Sequence, residues 1–341
     1  IRDWSVTGVQ TCALPISSLS PEAVTIEERS PFQIVMRRFQ RHRLAMISLV
    51  IMLVMFMITI LAPYIAPFEI QELSVNKYFV PWGTVDAETG RVHHMGTDHI
   101  GRDYFSRLIY AGRISLTVAI LSVLISETIG IVIGAISGFF GGWIDTILMR
   151  FVEFMLTIPQ LPLLLIISSM LIRNEALIPI PDPVLKFMGD ILLLSPRDSR
   201  NAVLIVMVLA GFGWLSAAQL MRGTVLSLRE QTFVEASRSL GASNFRIIMR
   251  DMIPNAMAPI IVDASLGLAG YIVGEAALAF LGFGIADPVP TWGNMLAASQ
   301  QFMLDRPWLP LVPGLPIFIC SLAFNYIGDG LRDALDPRLK L

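Results

Sequence analysis

Residues 44–68 of the chain read LAMISLVIMLVMFMITILAPYIAPF, an apolar stretch without a charged residue. A helix that crosses the hydrocarbon core of a membrane needs about 20 predominantly apolar residues. The stretch therefore predicts a membrane-spanning helix, which we expect to end near Pro63. Basic residues beside a span tend to stay in the cytoplasm, so this span is predicted to run outward. The basic cluster that precedes it consists of Arg37, Arg38, Arg41 and Arg43.

The composition of the whole chain also indicates a membrane protein. The 341 residues are 54% hydrophobic and 15% charged, whereas soluble domains carry about 25% charged residues. The mean hydropathy of +0.66 indicates that lipid solvates most of the chain. The net charge of −2 gives no support for a nucleic-acid partner. We expect an all-α polytopic membrane protein.

Further apolar stretches bring the predicted total to about six spans and return the C-terminus to the cytoplasm. Pro159 and Pro162 are expected to bend the third span. Mixed or polar segments at 64–112, 173–201 and 284–308 are predicted to lie outside the cytoplasm, and 329–341 is a charged tail. The spans after the first are predicted at residues 114–136, 150–172, 202–220, 259–283 and 309–327.

The first 17 residues are excluded from this fold. Residues 6–16, VTGVQTCALPI, resemble the translation of a sequencing-library adapter, and we expect the authentic start to be missing or displaced. A secretory signal peptide is the alternative, but it would need basic residues beyond Arg2 and an apolar run that Pro15 does not interrupt. Residues 18–43 are then a cytoplasmic segment, and residues 44–341 are the transmembrane domain.

The segment 222–255, between the fourth and fifth spans, is polar and helical in its periodicity. Thr232 and Glu235 match a capping box, in which each side chain satisfies a backbone amide of the other residue. Gly241 suits a left-handed stop after a first short helix, and Ser243 can cap a second one. The pattern predicts two short helices joined by a tight turn.

The second of these helices is predicted to have one apolar face. Four apolar residues recur at i, i+3, i+4 and i+7, the spacing of one helix face; they are Phe245, Ile248, Met249 and Met252. Arg246 and Arg250 point elsewhere, and Pro254 is expected to end the pattern. Such a loop can dock into a partner and move as a lever, although an ordinary amphipathic connector would show the same periodicity.

The residues of this loop resemble the EAA loop of ABC importer permeases. The match consists of Glu235-Ala-Ser-Arg-Ser-Leu-Gly241 followed by Ile253-Pro254, with small departures from the family pattern at Ser237, Asp251 and Ile253. In that family the loop forms the coupling helices that fit a groove on the ATPase subunit. The resemblance implies coupling roles for Glu235, Ala236, Ser237, Gly241, Ala242 and Pro254.

Other segments narrow the resemblance to the second permease, the C-type subunit, of dipeptide, oligopeptide and nickel importers. The ordered set is specific, and it extends over about residues 32–341. It implies the type I ABC importer permease fold in the inner membrane of a bacterial or archaeal cell, with both termini in the cytoplasm. The matching segments are Gly96–Asp103, Ser106–Ser115, Gly138–Asp145, Arg150–Pro159, Glu275–Gly284, Trp292-Gly293 and Gly328–Arg338.

ATP must then be bound by another polypeptide. A P-loop places its lysine after glycine and before serine or threonine, and none of Lys77, Lys186 and Lys340 has that context. We therefore expect no enzyme activity and no cofactor in this chain, with ATP and Mg on two cytosolic ATPase subunits. The resemblance also implies a homologous permease subunit, as a heterodimer, an extracytoplasmic solute-binding protein, and surrounding membrane lipid.

The cargo is expected to be a di- or oligopeptide, and nickel import within the same class is the alternative. A self-contained secondary transporter is a further alternative from a different class. Such transporters often show inverted repeats and broken helices, and the sequence shows no clear repeat. An intramembrane aspartyl protease is excluded, since Gly328-Asp329-Gly330 is preceded by Tyr326 where its motif needs glycine.

Ionisable residues inside predicted spans are candidate functional residues. Glu127, Asp263 and Glu275 are the candidates for the translocation pathway or a gate. Inward-facing, hydrogen-bonded carboxyl groups without a transport role are the alternative. Glu153 lies one turn from Arg150, so a structural ion pair is the favoured interpretation there.

Metal binding is a second interpretation of an outer polar cluster, because imidazole suits several transition metals. We favour a polar surface held by hydrogen bonds and expect no metal site. Cys12 lies in the excluded start and Cys320 lies alone in an apolar run, which is typical of inert packing, so we expect no disulfide framework. The polar cluster consists of His93, His94, Asp98, His99 and Asp103.

Gly130, Gly134 and Gly138 recur every four residues at the end of the second span. Small residues at this spacing let another helix approach closely. That helix is expected to come either from this chain or from another subunit.

Overall fold

A computed structural model describes residues 31–73, 77–174 and 178–336 of the chain. The excluded residues 1–17 and the end of the predicted tail, 337–341, lie outside the described residues. Two short strands, β1 (Thr84–Val85) and β2 (Val92–His93), pair in an antiparallel hairpin. The α-helices are α1 (Pro31–Arg41), α2 (Arg43–Ile60), α3 (Ala62–Ile65), α4 (Tyr104–Phe140), α5 (Gly142–Thr157), α6 (Gln160–Arg173), α7 (Asp182–Leu192), α8 (Pro196–Arg229), α9 (Thr232–Ser239), α10 (Asn244–Arg246), α11 (Ile253–Phe280), α12 (Trp292–Ser299) and α13 (Leu311–Leu335).

Among the described residues, five helices are long and apolar enough to cross a membrane: α2, α4, α8, a continuous stretch Asn244–Phe280 and α13. The bent pair α5 and α6 becomes a sixth span only if the two helices count as one, because they meet at 89°. The prediction of an all-α polytopic protein is confirmed, and so is a bend near Pro159. The start predicted at residue 150 is wrong, since α5 begins at Gly142, directly after the positive-φ residue Gly141 ends α4.

Side-chain caps place the starts of α4 and α8 earlier than the sequence predicted. The Asp103 carboxylate accepts a hydrogen bond from the amide of Ser106 at 2.7 Å, and the Ser195 hydroxyl accepts one from the amide of Asp198. Such caps satisfy amides that the first turn of a helix leaves unpaired. Residues 104–113 and 196–201 therefore belong to helices that continue into the predicted spans.

The glycine stripe of α4 is an internal packing surface against α8. A Cβ atom added at Gly130 would lie 2.5 Å from the Cβ atom of Ala217, and one added at Gly138 would lie 2.9 Å from the carbonyl oxygen of Arg222. Gly134 is equally close to α8. Of the two interpretations left open, packing within the chain is the correct one for this face.

A buried polar network around His93 joins the segment that precedes α4 to the start of that helix. The imidazole stacks on the ring of Phe68 at 4.3 Å, and its Nδ1 atom is 2.8 Å from a carboxylate oxygen of Asp103. The Asp86 carboxylate lies near the other ring nitrogen, Nε2. It forms an ion pair with the Lys77 ammonium, with 3.0 Å between the charged atoms. The Lys77 ammonium and nearby backbone amides hold the pKa of the Asp86 carboxyl well below its usual range.

The remaining members of the outer cluster have separate structural roles. The His94 ring contacts Phe105, and the His99 ring contacts Phe302. The Asp98 carboxylate accepts a hydrogen bond from Arg102 at 2.7 Å. Among the described residues, no group of three or more histidine, cysteine or carboxylate side chains has a geometry that suits a metal ion.

Candidate coupling surface and intramembrane cavity

The predicted coupling loop begins with α9 and a glycine turn. Gly241 has φ +77°, in the left-handed region that favours glycine. Its amide donates to the carbonyl of Arg238 at 2.9 Å, and the amide of Ala242 donates to that of Ser237 at 3.1 Å. These two hydrogen bonds define a Schellman motif, which satisfies carbonyls at the end of a helix. The predicted glycine stop is confirmed.

The predicted capping box at the start of α9 is wrong. Thr232 is the first helical residue and Gln231 occupies the N-cap, without a side-chain hydrogen bond to the helix. Glu235 is exposed to solvent. Only two residues separate the end of α8 at Arg229 from the start of α9 at Thr232. An N-cap at Thr232 would require the helix to start one residue later.

The second helix of the loop starts as predicted, with the Ser243 hydroxyl accepting from the amide of Arg246. The four apolar residues do not share one face as predicted, because Phe245 and Met249 are exposed while Ile248 and Met252 are buried. Ile247, which was not part of the predicted face, is fully buried. Residues 247–252 form a π-helix. Its i→i+5 hydrogen bonds place more residues in each turn, so side chains leave the 3.6-residue period on which the prediction relied.

Pro254 does not end this helix, contrary to the prediction. It lies in the first turn of α11, where its missing amide costs little. The π-helix has already changed the hydrogen-bond pattern just before it. Residues Asn244–Phe280 consequently form one continuous helical stretch of 37 residues, which we call the coupling rod.

The loop is anchored to the C-terminal ends of α4 and α8. Val234 is completely buried in an apolar cluster with Val225 and Met252. The Arg238 guanidinium lies 5.5 Å from the centre of the Phe139 ring. Any displacement of α9 therefore acts on the bundle through these contacts.

The solvent-exposed face of the loop is partly apolar. Leu240 is 88% exposed and Phe245 is 73% exposed. Glu235 and Ala236 are exposed beside them, as are Gly241 and Pro254, while Ser237 and Ala242 are partly buried. Large apolar side chains this exposed often mark a protein-interaction surface, and here they lie among the residues predicted to couple. We call this face the coupling surface.

Sequence reasoning did not identify an ion pair that supports this region. Arg222 on α8 donates to both carboxylate oxygens of Asp145 on α5, with one bond of 2.6 Å. The Ser137 hydroxyl donates to the same carboxylate. A bidentate arginine–carboxylate pair is strong and geometrically specific, and it fixes α5 to the C-terminal half of α8. In the sequence, this ion pair was indicated by the position of both residues next to the ends of predicted spans.

An open cavity of about 420 Å³ lies between α4, α6, α8 and α11. Its polar lining includes Glu127 of α4 and Asp263 and Tyr271 of α11. Glycines of α11 leave the space empty, because they present no side chain to it: Gly267, Gly270 and Gly274. The structure thus brings two of the three predicted pathway carboxylates to one cavity.

Glu275, the third predicted pathway residue, lies elsewhere and is fully buried. Its carboxylate accepts a hydrogen bond from the Ser115 hydroxyl at 3.0 Å. The same hydroxyl accepts from the backbone amide of Trp292 at 3.2 Å. Glu275 therefore joins the C-terminal end of the coupling rod to α4 and α12.

Glu153 and Arg150 form the predicted ion pair, with 3.2 Å between the guanidinium and the carboxylate. Both side chains are mostly exposed, and neither lines the cavity. The structural interpretation of this pair is confirmed.

Comparison with known proteins places these features in a family. Residues 130–341 match the family described as binding-protein-dependent transport system inner membrane component. The chain belongs to this family. Residues 30–81 also match the N-terminal transmembrane domain of oligopeptide transport permease C. The predicted resemblance is confirmed: the chain is a multi-pass membrane permease of an ABC-type transport system, which works in general with an ATPase and a solute-binding protein.

Similar permeases occur in several bacteria. The dipeptide transport system permease protein of Alkalihalophilus pseudofirmus is 35% identical over 96% of this chain and 98% of its own length. That of Haemophilus influenzae is 36% identical over 94% of this chain and 100% of its own length. The oligopeptide transport system permease protein of Mycobacterium bovis is 33% identical over 89% of this chain and 94% of its own length.

Proposed function

We propose that this chain is the permease subunit of an ATP-driven importer of di- or oligopeptides in a bacterial or archaeal inner membrane. The observation that carries the proposal is the coupling surface on a membrane permease: an exposed, partly apolar loop at the base of a helix that crosses the membrane. The names of the similar permeases favour peptides over nickel as the cargo. They also favour a subunit of a larger complex over a self-contained secondary transporter.

The partners follow from the same proposal. The coupling surface docks onto two cytosolic ATPase subunits, which bind ATP and Mg. A homologous permease completes the path as a heterodimer, and an extracytoplasmic binding protein delivers the peptide. Both termini lie in the cytoplasm, in agreement with the basic residues around α1 and the first span.

The coupling rod suggests how movement of the loop reaches the path. Phe245 belongs to the coupling surface, Asp263 faces the cavity, and Glu275 contacts α4 near the outer end. All three lie on one continuous helix. When ATP binding draws the ATPase subunits together, a displacement of Asn244 moves Asp263 and Glu275 relative to α4, which is held by its glycine contacts to α8.

Charge reversal on the coupling surface tests this proposal. Glu235→Arg should lower co-purification of the ATPase subunits with the permease and abolish peptide-dependent ATP hydrolysis, because an exposed side chain at the docking face then carries the opposite charge. Asp305→Arg is the matched control, since it makes the same kind of change at an exposed residue of the predicted outer loop. Association and uptake that remain normal in the Glu235 variant would contradict the coupling role.

A further inference from the structure

The charges around the cavity are unbalanced. Glu127 and Asp263 line it, and none of the described lining residues is basic. Glu127 is 9% exposed, and its Oε2 atom has no hydrogen-bond partner among the residues that the structure describes. A buried carboxylate without a partner is energetically costly, and ionisable residues at this depth are typically functional.

The neutral polar groups nearby do not compensate the two carboxylates. The Tyr271 hydroxyl donates its hydrogen to the Ser126 hydroxyl at 2.6 Å and therefore does not donate it to Glu127. Gln160 and Ser216 complete the polar lining from α6 and α8. The cavity thus offers the oxygen atoms of two carboxyl groups in a volume within the range of small-molecule sites.

We infer that this cavity binds a primary ammonium group of the cargo through the carboxylates of Glu127 and Asp263. The inference rests on the proposed function, because a peptide supplies such a group at its N-terminus. An ammonium ion has three hydrogen-bond donors and pairs well with carboxylates. A bound metal ion fits less well, since no group of three or more metal-ligating side chains is present in the described part of the chain.

The two carboxylates lie on helices that move relative to each other under the proposed function. Glu127 belongs to α4, about 20 Å along the helix from its cytoplasmic end at Phe140 at 1.5 Å per residue. Asp263 belongs to the coupling rod. Movement of the rod therefore changes the separation of the carboxylates, so the site binds the ammonium group in one arrangement and releases it in the other.

The test uses the full complex of permeases, ATPase subunits and binding protein in proteoliposomes, with Ala-Ala and Ala-Ala-Ala as probes. Glu127→Gln and Asp263→Asn should each lower ATP-driven uptake about tenfold, the effect expected from losing a charge-assisted hydrogen bond. Subunit co-purification and binding-protein-stimulated ATP hydrolysis should stay within about twofold of the wild type. Glu127→Asp should retain most of the uptake, because it keeps the carboxylate. Glu153→Gln, at the exposed ion pair, is the matched control and should change nothing.

Each outcome decides between the hypotheses. Wild-type uptake of the probes together with unchanged uptake in both cavity variants would overturn the ammonium site and leave the proposed function intact. Absence of probe uptake in the wild type would overturn the proposed function and the assigned ligand with it. Loss of co-purification of the second permease in Glu127→Gln would show that the carboxylates pair with a cation of that subunit, which also overturns the inference.

Discussion

Replacement of Gly241 by alanine tests the turn on which the coupling surface is built. A Cβ atom at this residue would meet nothing within 4 Å, so steric contact adds no cost. The backbone conformation is the only penalty: at φ +77° an L-residue costs about 1–2 kcal/mol relative to glycine. That energy should raise the open population of the turn by a factor of about 5–30.

Hydrogen exchange of the Ala242 amide measures this population, because that amide donates to the Ser237 carbonyl only when the turn is closed. Gly241→Ala should speed its exchange by about that factor, and peptide-dependent ATP hydrolysis should fall with it. Gly241→Asn should have a smaller effect, since asparagine tolerates the left-handed region better.

Gly223→Ala provides the matched control. This residue also has no atom within 4 Å of an added Cβ, but it lies inside α8 with an ordinary helical conformation. Alanine there should stabilise the helix by about 0.5–1 kcal/mol and leave exchange of the Ala242 amide unchanged. If both alanine variants exchange alike, backbone strain at Gly241 does not hold the turn, and the reasoning fails.

Two further predictions concern the packing of α4 against α8 and the ion pairs of Asp287. Gly134→Leu should destabilise the protein by about 3 kcal/mol because the added side chain pushes α4 away from α8. In thermal unfolding in detergent, it should lower the Tm more than Gly211→Leu does, since a Cβ atom at Gly211 meets nothing within 4 Å. Burial raises the pKa of Asp287, but Arg107 and Arg102 outweigh it and hold that pKa below the usual range. The resulting stability is present above about pH 3.9, the usual aspartate pKa, and is lost as the pH falls through the folded value. Wild type and Asp287→Asn should therefore differ in thermal stability at pH 7 and converge in acid; a constant difference would contradict the prediction.

Several features could be predicted because they depend on local chemistry. Runs such as 44–68 must be helical in lipid, since only a helix satisfies every backbone hydrogen bond within one segment. The stop at Gly241 was predictable for the same kind of reason, because the left-handed conformation favours glycine wherever it occurs. The ordered motifs along the chain also sufficed to predict the family.

Predictions that assumed a regular helical repeat or a helix end at proline were wrong. The apolar face through Phe245 and Met249 followed from a 3.6-residue repeat, which the π-helix at 247–252 breaks. Pro254 was predicted to end a helix, yet the preceding turn lets the rod continue through it. Residues 247–252 also pack into the apolar cluster with Val225 and Val234, a tertiary contact that a helical repeat does not take into account.

Local chemistry was enough to predict a helical membrane permease with a polar loop between its fourth and fifth predicted spans, because hydrophobic runs and turn residues act over a few neighbouring residues. The packed structure was needed to show that Gly130, Gly134 and Gly138 face α8, that His93 lies between carboxylates, and that Glu127 and Asp263 line one cavity. Residues far apart in the chain meet only when the helices pack, and their depth, rotation and separation are set by that packing.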